Sequence, residues 1–169
     1  MKKLLYTLLA VSFIFTACKK EEGCTDAIAT NYNVDAEDDD GSCTYSIVGV
    51  WTPTSLSVTQ SMSATVMGQI VDSYDTTFTM TAAEAGMDGD VEFTTDGNMY
   101  VDGDTNSYSY SGNVLTVTDD EGTETHSCTV TSTSLTVMFS DTETYTEDYM
   151  GQEATITESS DMTLNCTRQ

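Results

Sequence analysis

Between Val91 and Phe139 apolar residues recur at every second position, and the gaps between the runs hold turn residues. That period predicts short antiparallel strands with one dry face and one wet face. Val91 and Phe93 lead into Asp96-Gly97 and Tyr100 follows, so a two-residue loop sets Phe93 opposite Tyr100. Tyr108 and Tyr110 run into Gly112-Asn113 and Leu115 and Val117 run out, which pairs Tyr110 with Leu115 and Tyr108 with Val117. Ser107, Ser109, Ser111, Thr116 and Thr118 form the other face. A turn at Ser132-Thr133 sets Val130, Cys128 and His126 against Leu135, Val137 and Phe139.

The flanks are less regular. Pro53 cannot donate to a ladder and the apolar phase changes from Trp51 to Leu56 and Val58, which predicts a bulge near Pro53. Met62 to Val71 and Thr77 to Met80 read as strands, and Thr81-Ala82-Ala83-Glu84 has capping-box spacing with Gly86 as a stop, so one helical turn is expected there. Asp141 to Gln152 is polar and reads as a long loop or frayed hairpin, before Ala154 to Thr157 and Met162 to Cys166 finish the sheet.

Composition narrows the range of partners. Five Lys and Arg stand against 28 Asp and Glu in 169 residues, a formal charge of −23, and Arg168 is the only basic residue after Lys20. Such a surface repels nucleic acid and anionic headgroups, and neither is expected as a partner. Thr, Ser and Asp dominate the polar positions, which suits exposed strand faces better than long helices.

Lys2 and Lys3, the apolar run from Leu4 to Phe15, and Thr16-Ala17 before Cys18 have the organisation of a signal peptide over residues 1–17. The run is shorter than the roughly 20 residues that span a bilayer. Small residues directly before a cysteine resemble the lipobox of bacterial lipoproteins, with Phe15 where Leu is usual. The resemblance implies cleavage before Cys18, acylation of that residue with fatty acids such as palmitate, and anchoring to the bilayer. Ordinary secretion with a free Cys18 is the alternative. Residues 18–22 then form a short lipidated tether. Lys19 followed by acidic residues resembles the surface-export tag of some Gram-negative lipoproteins, although a plain polar linker has the same composition.

Residues 23–45 resemble a short cysteine-bounded module of surface and secreted proteins in some Gram-negative bacteria. Cys24 and Cys43 enclose little that could be buried, so a disulfide is expected, supplying roughly 3 kcal/mol in the loop-entropy picture. Asp38 and Asp40, with Gly41 behind them, are weak calcium candidates: an EF-hand loop would need an oxygen ligand at Ala36 and a Glu at Ile47, and Asp-Gly is also turn chemistry.

From residue 46 to 169 three features, Gly49-x-Trp51, Phe93-x-x-Asp96-Gly97 and a closing Arg168, resemble the lipocalin-like domain of bacterial lipoproteins. The resemblance implies an all-β, up-and-down antiparallel barrel of about eight to ten strands. In it the first and last strands are neighbours, so that Trp51 and Arg168 pack at the narrow end. A guanidinium over an indole contributes on the order of 1 kcal/mol.

No pattern of catalytic residues accompanies this fold, and a non-enzyme without cofactor or resident metal is expected. His126 is the sole histidine and reads as a satisfied interior residue. An envelope location permits disulfides, so a Cys128–Cys166 bond is expected, with two free, buried thiols as the alternative. Two functions stay open. In the first, Phe93, Tyr100, Tyr108, Tyr110, Val137 and Phe139 line a pocket for a small apolar ligand, in a lipoprotein of the outer membrane, whether facing the periplasm or the cell surface. In the second, the same residues pack solid and the lipoprotein is structural or interactive. The sequence is silent on oligomeric state.

Overall fold

The structure, a computed structural model, describes residues 20–169. The proposed signal peptide over 1–17 and the acylation site Cys18 lie outside the described residues. The chain divides into two compact units between Tyr45 and Ser46.

The first unit is held by polar contacts around one crosslink. Cys24 and Cys43 form a disulfide with Cα atoms 4.8 Å apart. Strands β1 (Glu22–Gly23) and β2 (Asp38–Asp39) pair in parallel. Asn31 ties the loop together, donating from Nδ2 to Ser42 O (2.7 Å) and accepting from Thr44 N (2.8 Å). The calcium candidates have protein partners: Lys20 Nζ lies 2.9 Å from Asp38 Oδ1, and Asp40 Oδ1 accepts from Ser42 N at 2.9 Å. Hydrogen bonding from the Ser42 hydroxyl, and then from its backbone amide, holds the Asp40 carboxyl below its ordinary pKa.

The second unit is all β apart from one turn. Its strands are β3 (Gly49–Val66), β4 (Gln69–Thr81), β5 (Val91–Phe93), β6 (Asn98–Val101), β7 (Asp104–Ser111), β8 (Val114–Thr118), β9 (Thr123–Val130), β10 (Ser134–Tyr149) and β11 (Gln152–Arg168). They form one nine-stranded antiparallel sheet, and pairing of β11 with β3 closes all of them except β4 into a barrel. Strand β3 pairs with β5 only through Gly49, Val50 and Trp51, and from Ser55 onward it pairs with β4. Likewise β10 leaves β9 after Met138 but stays paired with β11 to its end. The hairpins β3–β4 and β10–β11 therefore run on past the barrel mouth as a four-stranded sheet, in the order β4-β3-β11-β10.

Turn residues set these registers. Gly112-Asn113, Asp102-Gly103, Met67-Gly68 and Met150-Gly151 all have positive φ at both positions, the geometry of two-residue hairpin turns that match strand twist. Tyr110 pairs with Leu115 and Tyr108 with Val117. The bulge appears at Thr54, skipped between the Pro53–Cys166 and Ser55–Asn165 pairs. The capping box also forms: Glu84 N donates to Thr81 Oγ1 (3.2 Å), and Thr81 N to Glu84 Oε2 (2.9 Å).

Three expectations are corrected. The Asp96-Gly97 loop has three residues, not two: Thr94 N donates to Asn98 O, Gly97 takes φ 84°, and Phe93 faces Met99 instead of Tyr100. A one-residue change in register turns a side chain to the opposite face, so Tyr100 points outward and is 39% exposed. Of the two readings of residues 141–152 the loop fails and the hairpin forms, and it is not frayed, because β10 and β11 pair without interruption from Ser134↔Thr167 to Tyr149↔Gln152. Met62 to Val71 is not one strand but spans the Met67-Gly68 turn.

Candidate ligand cavity

The closed end of the barrel is built around Trp51, which has 0% exposure. Its Nε1 donates to Ile47 O at 2.8 Å, and the Arg168 guanidinium lies 4.2 Å from its ring centroid. Arg168 also donates from Nη1 to Val48 O (3.0 Å) and from Nη2 to Ser46 O (2.6 Å). The glycine of the Gly-x-Trp sequence has a steric reason: Gly49 sits at φ 139°, and a Cβ there would come within 2.9 Å of Arg168 Nη1.

At the same end of the barrel, on β5 where Phe93 pairs with Gly49, Phe93 meets Tyr108 edge to face, with ring centroids 4.9 Å apart, and Tyr108 Oη donates to Thr94 O at 2.7 Å. Burial raises the Tyr108 phenol above its ordinary pKa, helped by the Asp96 carboxylate. Leu135, Cys128 and Cys166 complete the packed layer. The cysteines do not form the disulfide considered from the sequence; both are free and buried. Strand β10 lies between β9 and β11, and two strand spacings of about 4.8 Å exceed the separation of about 7 Å that a disulfide tolerates. Burial pushes each thiol up to about 11, and for Cys128 the neighbouring Cys166 adds to the effect.

Above this layer is a cavity of about 280 Å³. Its wall is mainly apolar, with Phe93, Met99, Leu115, Val137, Phe139 and Leu164 among the lining residues. Toward the mouth Asn106, Asp119, Glu124 and His126 also line it. The His126 ring lies 4.5 Å from the Phe139 ring, and its Nε2 is 3.3 Å from Glu124 Oε2. Asp119 is fixed at the mouth by its own turn, where Oδ1 accepts from Glu121 N (2.8 Å) and Gly122 N (2.9 Å). A smaller polar hollow of about 130 Å³ lies on the extended sheet, among Gln60, Tyr74, Asp141, Glu143, Glu158 and Ser160. Among the described residues no group of three or more His, Cys, Asp or Glu side chains is arranged to hold a metal ion.

Of the six residues expected from the sequence to line a pocket, Phe93, Val137 and Phe139 do so. Tyr108 supports Phe93 from beneath, Tyr110 donates to Asn113 Oδ1 (3.2 Å) at the turn, and Tyr100 lies outside. Sequence reasoning missed Met99 and Val101, both displaced from the interior by the assumed two-residue loop, and Leu164, whose strand lacked a secure register. Thr94 is the overlooked signal, since its hydroxyl accepts from Asn98 N (3.3 Å) and donates to Asn98 O (2.9 Å), bridging the three-residue loop. The fold and site thus define a closed antiparallel β-barrel with an apolar interior cavity. No family model, curated protein or solved structure matches the chain.

Proposed function

We propose that this protein is a lipid-anchored lipoprotein of the Gram-negative cell envelope, held at the outer membrane, on its inner face or at the cell surface, whose barrel binds a small apolar ligand without catalysing its conversion. One observation carries the binding reading: the apolar-walled cavity of about 280 Å³ above the packed closed end. Its size is at the lower end of ligand sites, which run from about 300 to 1,000 Å³, so the ligand is small. The anchor rests on Thr16-Ala17-Cys18 and on the lack of another evident use for Cys18. Partners in this reading are the bilayer, through the acyl chains, and the ligand; nucleic acid is disfavoured by the charge of −23.

The binding test is titration of the mature protein with the neutral apolar fluorophore N-phenyl-1-naphthylamine. Saturable binding is expected, together with its loss in Leu164→Trp, where the indole fills the cavity while the fold stays intact by circular dichroism. Absence of saturable binding to the native protein would overturn the carrier reading in favour of a structural lipoprotein. Intact mass of the protein from its own cells should show an acyl increment at Cys18, and a mass without one would sink the anchor.

A further inference from the structure

The geometry points to a charge preference in this cavity: it takes ligands with an apolar body and a cationic amine head, and rejects those with a carboxylate head. The inference rests on the carrier reading and specifies its ligand class.

The wall of the cavity is apolar, so the ligand body has to be apolar too. Its ionisable lining residues are Asp119, Glu124, His126 and the thiol of Cys166, which burial pushes up to about 11 and keeps neutral at pH 7, and neither Lys nor Arg is among them. The second unit has no other cation to lend, because Arg168 is its only basic residue. That guanidinium is engaged at the closed end by Trp51 and the carbonyls of Val48 and Ser46. His126 faces Glu124 and Phe139, so its nearest charged neighbour is itself a carboxylate.

The approach to the mouth has the same sign. On β10, Phe139, Asp141 and Glu143 alternate onto one face, so the wall that lines the cavity continues upward as carboxylates. The register sets Asp141 beside Ser160 and Glu143 beside Glu158. Tyr145 Oη donates to Glu158 Oε1 at 3.0 Å, holding that carboxylate on the same face. A carboxylate head entering here meets like charge from the β8–β9 turn, β9, β10 and β11 with no donor cation to receive it. An ammonium head meets Asp119 and Glu124 at the depth where its chain enters the apolar wall. Asp119 Oδ1 is occupied by two backbone donors, which leaves Oδ2 as the acceptor for a ligand.

Displacement of N-phenyl-1-naphthylamine from the full mature protein at pH 7 and low salt tests this, with n-octylamine, n-octanol and octanoate as competitors. The amine is then cationic and the acid anionic. Octylamine should displace the probe at a concentration at least about tenfold below octanoate, with octanol between them. Equal potency of amine and acid would overturn the proposal while leaving the carrier reading standing; failure of the probe itself to bind would overturn both. A D119N/E124Q variant should bring the two within about threefold, and Asn at 119 keeps the Oδ1 acceptor of the turn. The E92Q/E153Q control removes the same charge from outward-facing positions and should keep the tenfold ratio. If the control lowers the ratio as much as D119N/E124Q does, the preference belongs to the bulk charge of the protein and the site assignment fails. The comparison of competitors on the unmodified protein needs no variant to fold.

Discussion

Within the barrel, β10 turns Leu135, Val137 and Phe139 inward, and β11 sets Cys166, Leu164 and Met162 opposite them. Past the mouth the same two strands carry Asp141, Glu143, Tyr145 and Glu147 opposite Ser160, Glu158, Ile156 and Ala154. The apolar content there shrinks to a small cluster of Ala64, Val66, Ala154 and Ile156 with Met62 against it. The reverse face is nearly all hydroxyl: Ser57, Thr59, Ser61 and Ser63 on β3 lie beside Thr79, Thr77, Asp75 and Ser73 on β4. Hydroxyls bridge the strands directly, as in Ser61 to Ser159 (2.7 Å) and Thr59 to Thr77 (3.1 Å). Interior packing holds the lower region; backbone pairing, turn chemistry and short cross-strand contacts hold the upper one. Such a sheet can be continuous in hydrogen bonding and still differ greatly in local stability along its strands.

Substitutions at the two ends should separate these regions most widely. Trp51→Ala, at the fully buried closed end, should cost about 3–5 kcal/mol in urea unfolding. Ile156→Ala in the small upper cluster should cost no more than about half of that, because fewer neighbours are lost. Equal costs would mean that the extension contributes to the core as much as the barrel does.

A second contrast lies inside the barrel. Both rings line the cavity, but Phe93, buried and packed edge to face against Tyr108, should lose about 3–5 kcal/mol on truncation to Ala, whereas the half-buried Phe139 should lose clearly less and take probe binding with it. A smaller effect comes from the buried thiols. Their folded pKa of about 11 lies above the ordinary thiol value of 9.0, so burial of the neutral thiols adds stability that is complete below pH 9 and is lost as pH rises toward 11. Cys128→Ala/Cys166→Ala should flatten that loss. In the native protein neither thiol should react with an aromatic disulfide reagent at pH 8.

The smallest effect is at the tips. Met67 and Met150 hold φ of 49° and 54°, a region where Asn is more at ease, and both side chains are almost fully exposed. Asn at either position should raise the unfolding free energy by roughly 0.5–1 kcal/mol, seen as slower amide exchange confined to the extension.

The legibility of the sequence follows the same division. Where one face is apolar, period two is visible, and the pairs Tyr108–Val117 and Tyr110–Leu115 could be read directly. The Gly-x-Trp and Arg168 features marked the barrel seam at its closed end. In the extension both faces are rich in polar residues, so Asp141 to Gln152 lacked the alternation that would mark it as strand. Met-Gly is also a weak turn signal beside Asn-Gly or Asp-Gly. The cavity was half legible: Phe93, Val137 and Phe139 follow from parity, while Met99 depended on one extra loop residue that Asp96-Gly97 does not specify by itself. Free thiols at Cys128 and Cys166 required knowing that β10 lies between their strands.

The seam between β3 and β11 has a consequence for how a chain of this kind reaches its native state. It joins Trp51 to Arg168 and Thr65 to Thr155, so the first and last strands of the unit are zipped over almost their whole length. Hairpins from β5 to β10 can form as they are synthesised, but ring closure waits for the final segment and carries the entropy of the whole intervening loop. Until then β3 and β10 each present a long bare edge with unmet amide groups. At high concentration the last strand of one molecule can satisfy the first strand of another, giving a strand-exchanged dimer with the native seam intact.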